Sequence, residues 1–210
     1  MDKGNADYYD WVDFLKGVGI LLMVIGHASA PYLIKKWIYG FHMPLFFVLA
    51  GYTFNLEKWK NNGFSKLVIN RAKAYLKPYI VLFIFGFLAQ TVFDIISGRS
   101  SGTVRYILAG LYSFDIDLPQ CAPIWFLTCL FLAYMFFWIL VNQTTVFRQV
   151  ILGIIYLLVL VALKNLENMF DIIELPWHID TALVASVFML LGYTIKASKH
   201  KFDSFVVSDE

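Results

Sequence analysis

Long apolar runs separated by polar stretches dominate the hydropathy pattern of this chain. None of them alternates between apolar and polar residues with a period of two, which argues against membrane-barrel strands and indicates helices. A helix needs about 20 residues to cross the hydrocarbon core of a bilayer. The runs are Phe14–Ala30, Trp37–Phe54, Tyr79–Ile96, Ile124–Val141, Val150–Leu163 and Thr181–Ile195. We therefore predict an all-α protein, a polytopic transmembrane helical bundle of about six spans.

The amino-acid composition agrees with an integral membrane protein. Of the 210 residues, 60% are hydrophobic, 18% are aromatic and 15% are charged, which lies outside the range of ordinary soluble domains. The formal net charge of +2 is too small to indicate a nucleic-acid partner. The two cysteines, Cys121 and Cys129, are too few and too poorly spaced for a disulfide framework or a zinc site, so we expect no metal.

The basic residues orient the predicted bundle, because cytoplasmic loops carry an excess of Lys and Arg. The basic loop between the second and third runs therefore lies inside, together with both termini, and the acidic segment before the last run lies outside. The loop carries Lys58, Lys60, Lys66, Arg71, Lys73 and Lys77, the C-terminal region carries Lys196, Lys199 and Lys201, and the outer segment carries Glu167, Asp171, Glu174 and Asp180 against Lys164.

Residues 56–78 of that loop have the pattern of a basic amphipathic helix in the cytoplasmic interface. Two interpretations stay open, anchoring to anionic lipid or holding a phosphorylated donor with Arg71 and Lys73 as phosphate ligands. The apolar positions at helical spacing are Phe64, Leu67, Val68, Ala72, Tyr75, Leu76 and Tyr79, and the polar positions elsewhere on the wheel are Lys66, Asn70, Lys73 and Lys77.

Two ionisable residues, Lys16 and His27, lie on the first run, where such side chains cost a few kcal/mol (~2.5–3.5) and mark functional sites. Their separation of eleven residues turns a helix through about 1100°, so both side chains face the same way. They also lie about 16 Å apart along the axis, too far to touch one reacting carbonyl. Asp13 precedes Lys16 by three residues, which predicts an ion pair on one helix face.

Two histidines are the candidates for proton transfer. His27 lies near the outer end of the first run and His42 about a turn inside the outer end of the second. The short hairpin between the runs makes their helices antiparallel neighbours. Both imidazoles can then approach one site and act as bases. The alternative is that each imidazole is a satisfied hydrogen-bond partner between helices.

Two tryptophans flank the outer ends of predicted spans. Trp125 and Trp177 fit an aromatic belt at the membrane interface, although an exposed indole is also a stacking surface for a sugar ring. No phosphate-binding Walker loop, serine-hydrolase elbow or metal-spaced cluster of His and Glu occurs in the sequence. Ala28-Ser29-Ala30 has the form of a signal-peptide cleavage site, but Pro31 directly after it favours a retained span.

A set of ordered motifs resembles the acyltransferase-3 family of membrane O-acyltransferases, closest to its fucose 4-O-acetylase-like branch. The combination in order is specific, whereas no single piece would be. The motifs are DFLKGVGI at 13–20, Gly26-His27, WIYGFHMPLFF at 37–47, Ala50-Gly51-Tyr52, Arg71-Ala72-Lys73 to Pro78-Tyr79, PIWFL at 123–127, Leu175-Pro176-Trp177 with Asp180, and Gly192-Tyr193.

The resemblance implies one membrane domain over residues 1–210 that transfers an acyl group, usually from cytoplasmic acetyl-CoA, to a hydroxyl of a sugar or cell-surface glycan. The family's hallmark is a basic residue, commonly Arg, with ten residues between it and a His, and Lys16 and His27 occupy those positions. His27 is then the expected base, with His42 as its partner or substitute. Lys16, Asp13, Arg71 and Lys73 are expected to serve the donor, and Trp125, Trp177 and Asp180 the acceptor.

The resemblance also carries expectations about context. It places the protein in a bacterial cytoplasmic membrane, in contact with lipid. Family members usually run beyond 300 residues with about ten spans, so the chain resembles their first two-thirds and is expected to be truncated after the sixth span. A second subunit that supplies the missing helices, an inactive truncated homologue, and a non-catalytic transporter or interaction module are the alternatives to an active enzyme.

Overall fold

The computed structural model describes residues 10–28, 31–98, 102–113, 123–143, 145–170 and 175–208. The regular secondary structure in those ranges is helical, as the hydropathy pattern predicts. Cys121, Asp171 and Glu174, which entered the sequence argument, lie outside the described residues. The helices are α1 (Asp10–His27), α2 (Tyr32–Tyr52), α3 (Leu56–Asn62), α4 (Phe64–Arg71), α5 (Lys77–Ile96), α6 (Thr103–Tyr112), α7 (Trp125–Val141), α8 (Val146–Phe170) and α9 (Ile179–Ser208), with a π-helical turn at Ala72–Leu76 and a 3-10 turn at Pro176–His178.

Within the described residues, three helical stretches are long and apolar enough to cross a membrane, namely Phe64–Ile96, Val146–Leu166 and Pro176–Lys199. They contain the third, fifth and sixth predicted runs. The fourth run forms the shorter apolar helix Trp125–Val141. The first two runs form α1 and α2, which are 18 and 21 residues long but carry more polar groups, including Asp10, Asp13 and Lys16 in α1.

The outward side chains of α8 fit a lipid environment, because large apolar groups remain exposed along most of its length. A soluble monomer would bury such a surface or use it as an interface. Among these exposed residues are Val146, Phe147, Val150, Ile151, Ile154, Leu158 and Val161. The chain is therefore a helical membrane protein.

The chain divides into two compact units, which are described separately. The first comprises Met1–Phe54 and Phe188–Glu210, and the second comprises Asn55–Val187. In the first unit, α1 packs on α2 through residues that recur every seventh position, namely Val12, Gly19 and Gly26. A Cβ atom at Gly19 would meet the ring of Phe46, and one at Gly26 would meet Ile38 and Tyr39. These glycines let the two helices approach closely.

A second close approach in the first unit joins α2 to α9. A Cβ atom on Gly51 would overlap the backbone of Met189, and one on Gly192 would overlap the backbone carbonyl of Val48. Each glycine thus faces the main chain of the other helix. Both positions belong to small-residue motifs, Ala50-Gly51-Tyr52 and Gly192-Tyr193, and the contact explains why glycine is needed there.

In the second unit, the amphipathic segment packs its apolar face on α7. Leu67 and Tyr79 are buried, as are Phe137 and Leu140 of α7, while Lys66 and Lys73 are exposed. Phe64, which the spacing also places on the apolar face, is exposed. The helical path runs unbroken from this segment into the third apolar run, over the 33 residues Phe64–Ile96.

The unbroken path depends on a π-helical turn placed before Pro78. Proline has no N–H, and its ring collides with the carbonyl four residues earlier in a regular α-helix. The five residues Ala72–Leu76 adopt the wider π-helix, and Pro78 occupies the first turn of α5. The chain therefore passes a proline without ending the helix.

Candidate functional site

The first unit brings both predicted histidines to one tyrosine. The ring of Tyr39 lies 5.9 Å from that of His27 and 5.4 Å from that of His42, measured between centroids. The hydroxyl of Tyr39 donates a 2.8 Å hydrogen bond to the carbonyl of Gly26, which fixes the ring against α1. We name His27, Tyr39 and His42 the histidine–tyrosine cluster. The short hairpin between α1 and α2 thus places both imidazoles next to one ring.

His42 is held in one tautomer. The side chain is only 3% exposed, and its Nδ1 lies 2.8 Å from the carbonyl oxygen of Ile38. Because a carbonyl oxygen only accepts, Nδ1 carries the proton, and in the neutral ring Nε2 keeps its lone pair. An imidazole oriented in this way has one nitrogen available to take a proton.

His27 and Lys16 occupy more open positions on α1. His27 is the last residue of the helix and is exposed. The predicted ion pair of Lys16 with Asp13 is present, with 3.0 Å between Nζ and Oδ1 and side chains 44% and 47% exposed. A pair this exposed contributes at most about 1 kcal/mol to stability. Lys16 is thus free to exchange Asp13 for another anion.

In the second unit, the guanidinium of Arg71 lies between aromatic rings. Its Cζ is 4.0 Å from the ring centroid of Tyr134 and 5.6 Å from that of Trp59. Tyr134 in turn stacks on Tyr75, with centroids 5.7 Å apart and ring planes 17° apart. The face of an aromatic ring attracts a cation, so these contacts hold the guanidinium in place. We name Trp59, Arg71, Tyr75 and Tyr134 the arginine cage.

One polar atom of the arginine cage is unsatisfied. Nε of Arg71 is buried and has no hydrogen-bond partner among the described residues. A buried donor left without an acceptor costs roughly 1–3 kcal/mol. Lys73, two residues further along the same helical path, is exposed, and Lys58 lies 5.4 Å from the Trp59 ring. An anion with several oxygen atoms would satisfy both the charge and the free donor.

A third set of contacts, also in the second unit, involves Trp125 and Trp177, the two tryptophans predicted from the sequence. The centroid of the Trp125 ring lies 4.6 Å from that of His178, and Trp177 Nε1 donates a 2.8 Å hydrogen bond to the carbonyl of Leu111. His178 Nε2 lies 3.1 Å from the carbonyl of Ser113. The C-terminal end of α6 thus accepts from two consecutive rings of the 3-10 turn.

The backbone at this third set of contacts is strained. Ser113, Trp177 and His178 have φ values of 61°, 57° and 51°, the left-handed region that costs an L-residue of this type roughly 1–3 kcal/mol. Within the described ranges these are the non-glycine residues with positive φ. Strain of this kind persists where the surrounding structure fixes it, and it clusters at functional sites.

Asp180, predicted on the acceptor side, forms an ion pair. Its Oδ2 lies 2.6 Å from Nζ of Lys164, and the two side chains are 8% and 52% exposed. The pair joins the start of α9 to α8 within the second unit. Asp180 therefore has a structural partner already, and its carboxylate would have to share Lys164 with any bound molecule.

Several polar residues that make contacts in the structure were not predicted as candidates from the sequence. Tyr39 lies inside a quoted motif and His178 directly follows another, but their contacts with Gly26 and Ser113 leave no signal in the spacing of the sequence. Gln90 and Asp94 could have been found, since both are polar residues four apart on an apolar run. Gln90 Nε2 donates to Asp94 Oδ1 at 2.9 Å, and the hydroxyl of Tyr106 on α6 donates to Asp94 Oδ2 at 2.7 Å.

The hydrogen bond to Asp94 changes the acidity of Tyr106. Loss of the phenolic proton would break the bond and place two negative charges side by side, so the pKa of Tyr106 is raised above its ordinary value of 10.0. The group links α5 to α6. Across the part of the chain that the structure describes, no three His, Cys, Asp or Glu side chains converge as metal ligands.

Comparison with known proteins gives one match. Residues 9–208 match the acyltransferase-3 family model, which describes an acyltransferase domain. No curated protein and no solved structure matches the chain.

Proposed function

Because the chain belongs to the acyltransferase-3 family, we propose that it transfers an acetyl group from acetyl-CoA to a hydroxyl of a sugar or cell-surface glycan. The family match supports acyl transfer in general. The proposal includes the identity of the donor and of the acceptor. It also includes membership of the fucose 4-O-acetylase-like branch and a location in the bacterial cytoplasmic membrane.

The observation that carries the proposal is the histidine–tyrosine cluster. A hydroxyl is a weak nucleophile at neutral pH and needs a positioned base, which contributes about 10²–10⁴ in rate. His27 is our candidate for that base, because it occupies the family's histidine position and is exposed to an incoming hydroxyl. His42, whose Nε2 lone pair is fixed, supports His27 across the ring of Tyr39.

The proposed reaction is a direct transfer. The acceptor oxygen attacks the thioester carbonyl of acetyl-CoA while His27 takes the hydroxyl proton. The carbon–sulfur bond breaks, and the coenzyme A thiolate leaves and receives a proton. The products are the O-acetylated acceptor and free coenzyme A, so atoms and charge balance.

The arginine cage supports a donor with phosphate groups. Arg71 is the residue that offers a buried N–H without a partner in the described structure. Its ring neighbours hold the guanidinium plane, so binding a phosphate there loses little side-chain entropy. Lys73 would add a point charge beside Arg71. In the first unit, Lys16 is proposed as a separate contact with the donor, and Asp13 would orient it. On the acceptor side, Trp125 and Trp177 would contact the sugar, and Asp180 would act with Lys164.

Transfer of label tests the proposal. Membranes containing this chain are incubated with acetyl-labelled acetyl-CoA and a panel of sugar acceptors, and labelled products are separated. We expect O-acetylated product from wild type. The control variant Ile25→Ala, which changes an exposed residue of α1 close to His27, should give the same product. Membranes without the chain serve as the blank. No labelled product from any acceptor, together with histidine-dependent uptake of a solute, would contradict the proposal and favour a transporter.

A further inference from the structure

The strained turn before α9 places a histidine in a defined orientation. Trp177 and His178 each adopt a left-handed backbone conformation, and each ring donates to a carbonyl at the end of α6. The acceptors, Leu111 and Ser113, lie more than sixty residues earlier in the chain. Two long-range hydrogen bonds therefore hold a conformation that the local sequence disfavours.

The hydrogen bond to Ser113 fixes the tautomer of His178. The carbonyl oxygen of Ser113 only accepts, so Nε2 of His178 carries the proton. In the neutral ring, Nδ1 then keeps a lone pair, and it has no partner among the residues that the structure describes. His178 as a residue is partly exposed.

The surroundings of His178 suit a carbohydrate. Trp125 is partly exposed, and its ring centroid lies 4.6 Å from that of the imidazole, which places an indole surface beside the His178 ring. Thr128 donates to the carbonyl of Trp125 at 2.8 Å and lies 2.9 Å from the hydroxyl of Ser113, so α7 is held where Trp125 begins. A sugar ring presents one apolar face and several hydroxyl donors, which match an indole and an imidazole lone pair.

We propose that Trp125 and His178 form a subsite for the hydroxyl-bearing acceptor, in which the indole stacks on a pyranose ring and His178 Nδ1 accepts a hydrogen bond from a sugar hydroxyl. The class of acceptor rests on the proposed function. The subsite itself rests on the tautomer, the exposure and the ring contact described above. The N–H of Trp177 helps to hold the turn that orients His178.

Two substitutions of His178 distinguish a role in sugar binding from a role in supporting the turn. His178→Gln places an amide N–H near the Nε2 position and removes the acceptor at Nδ1, whereas His178→Asn keeps a carbonyl oxygen near Nδ1 and loses the contact with Ser113. Asn also tolerates the left-handed conformation better than most residues, so this variant is expected to fold. A role in sugar binding and a role in support therefore predict opposite rankings of the two variants.

Binding is measured directly by saturation-transfer NMR on the full chain in nanodiscs. The probes are the methyl glycosides of fucose, glucose and N-acetylglucosamine. We expect the best-binding glycoside to lose about three- to tenfold in affinity with His178→Gln, the range for one neutral hydrogen bond, and less with His178→Asn. Trp125→Ala should lose at least as much as His178→Gln, and Ile25→Ala should bind as wild type does.

The outcomes distinguish the subsite from the reaction. Glycoside binding that depends on His178, with no acetyl transfer, would support the subsite and overturn the proposed function. Acetyl transfer without glycoside binding, or binding that His178→Gln leaves unchanged, would overturn the subsite. If His178→Gln binds normally and His178→Asn does not, His178 only supports the turn.

Discussion

At the scale of single residues, Arg71 shows how a charged group is kept ready in a largely apolar protein. Its guanidinium lies 4.0 Å from the ring of Tyr134, while its buried Nε has no acceptor among the described residues. Ring contacts fix the plane of the guanidinium without using its N–H groups. The donors are therefore already oriented for the anion that we propose as their ligand, which would reduce the entropy lost on binding.

Substitution of Arg71 tests that interpretation. Arg71→Lys keeps the charge but loses the planar group, so we expect the KM for acetyl-CoA to rise about tenfold, equivalent to about 1.4 kcal/mol. The kcat should change less than about threefold, because the lost interaction is made in the ground state as well as in the transition state. Steady-state kinetics with varied acetyl-CoA measures both constants.

The matched control for Arg71 is Lys66→Ala. Lys66 is an exposed cation of the same segment and lies 3.4 Å from Asn62 Oδ1. If both variants shift KM equally, the effect is not specific to the arginine cage. An unchanged KM in Arg71→Lys would remove Arg71 from the donor site.

At the scale of helices, the first unit depends on glycines that face neighbouring backbones. Gly51 and Gly192 have no room for a Cβ atom, whereas a Cβ on Gly17 or Gly40 would meet nothing within 4 Å. All four glycines lie in helices, so their helix propensities are comparable and only the surroundings differ. The four positions therefore form a matched set.

Alanine substitutions at the two crowded glycines and at the two open glycines should have opposite effects on stability. Gly51→Ala and Gly192→Ala force the helices apart, and we expect each to lower the free energy of unfolding by about 1–3 kcal/mol or more. Gly17→Ala and Gly40→Ala should leave it unchanged or raise it by up to about 1 kcal/mol. Thermal unfolding in detergent measures all four, and equal stability of the two pairs would contradict the close approach of α2 and α9.

The contact between α5 and α6 should weaken at alkaline pH. The pKa of Tyr106 is raised in the folded state by its hydrogen bond to Asp94. A raised folded pKa means that the contact stabilises the protein below pH 10.0, the unfolded value, and that this stability is lost as pH rises through the folded value. The free energy of unfolding, measured between pH 8 and about pH 12, should therefore fall more steeply with pH for wild type than for Tyr106→Phe. Parallel curves would exclude Tyr106 as the cause.

Sequence patterns predicted the positions of helices better than they predicted the contacts between helices. The spacing of Leu67 and Tyr79 predicted a buried face, because periodicity is a local property that the chain carries with it. No pattern in the sequence indicates the π-helical turn that accommodates Pro78, since a proline ordinarily ends a helix. His178 could not be found, because its orientation depends on Ser113, a residue brought near only by folding.

At the scale of the whole molecule, family membership and local geometry answer different questions. The match over residues 9–208 establishes the acyltransferase family, and three long apolar helices establish a membrane protein. The roles of base, donor contact and acceptor contact that we propose for the histidine–tyrosine cluster, the arginine cage and the strained turn rest on the geometry inside each unit taken by itself. The proposed reaction needs one group of each kind.

The most direct test of the proposed reaction is the rate of a single turnover at saturating acetyl-CoA and acceptor. His27→Ala removes the proposed base, and we predict a loss of about 10²–10⁴ in that rate, with little change in the affinity for acetyl-CoA. Ile25→Ala should stay within about threefold of wild type. Equal single-turnover rates for wild type and His27→Ala would contradict the assignment of His27 as the base.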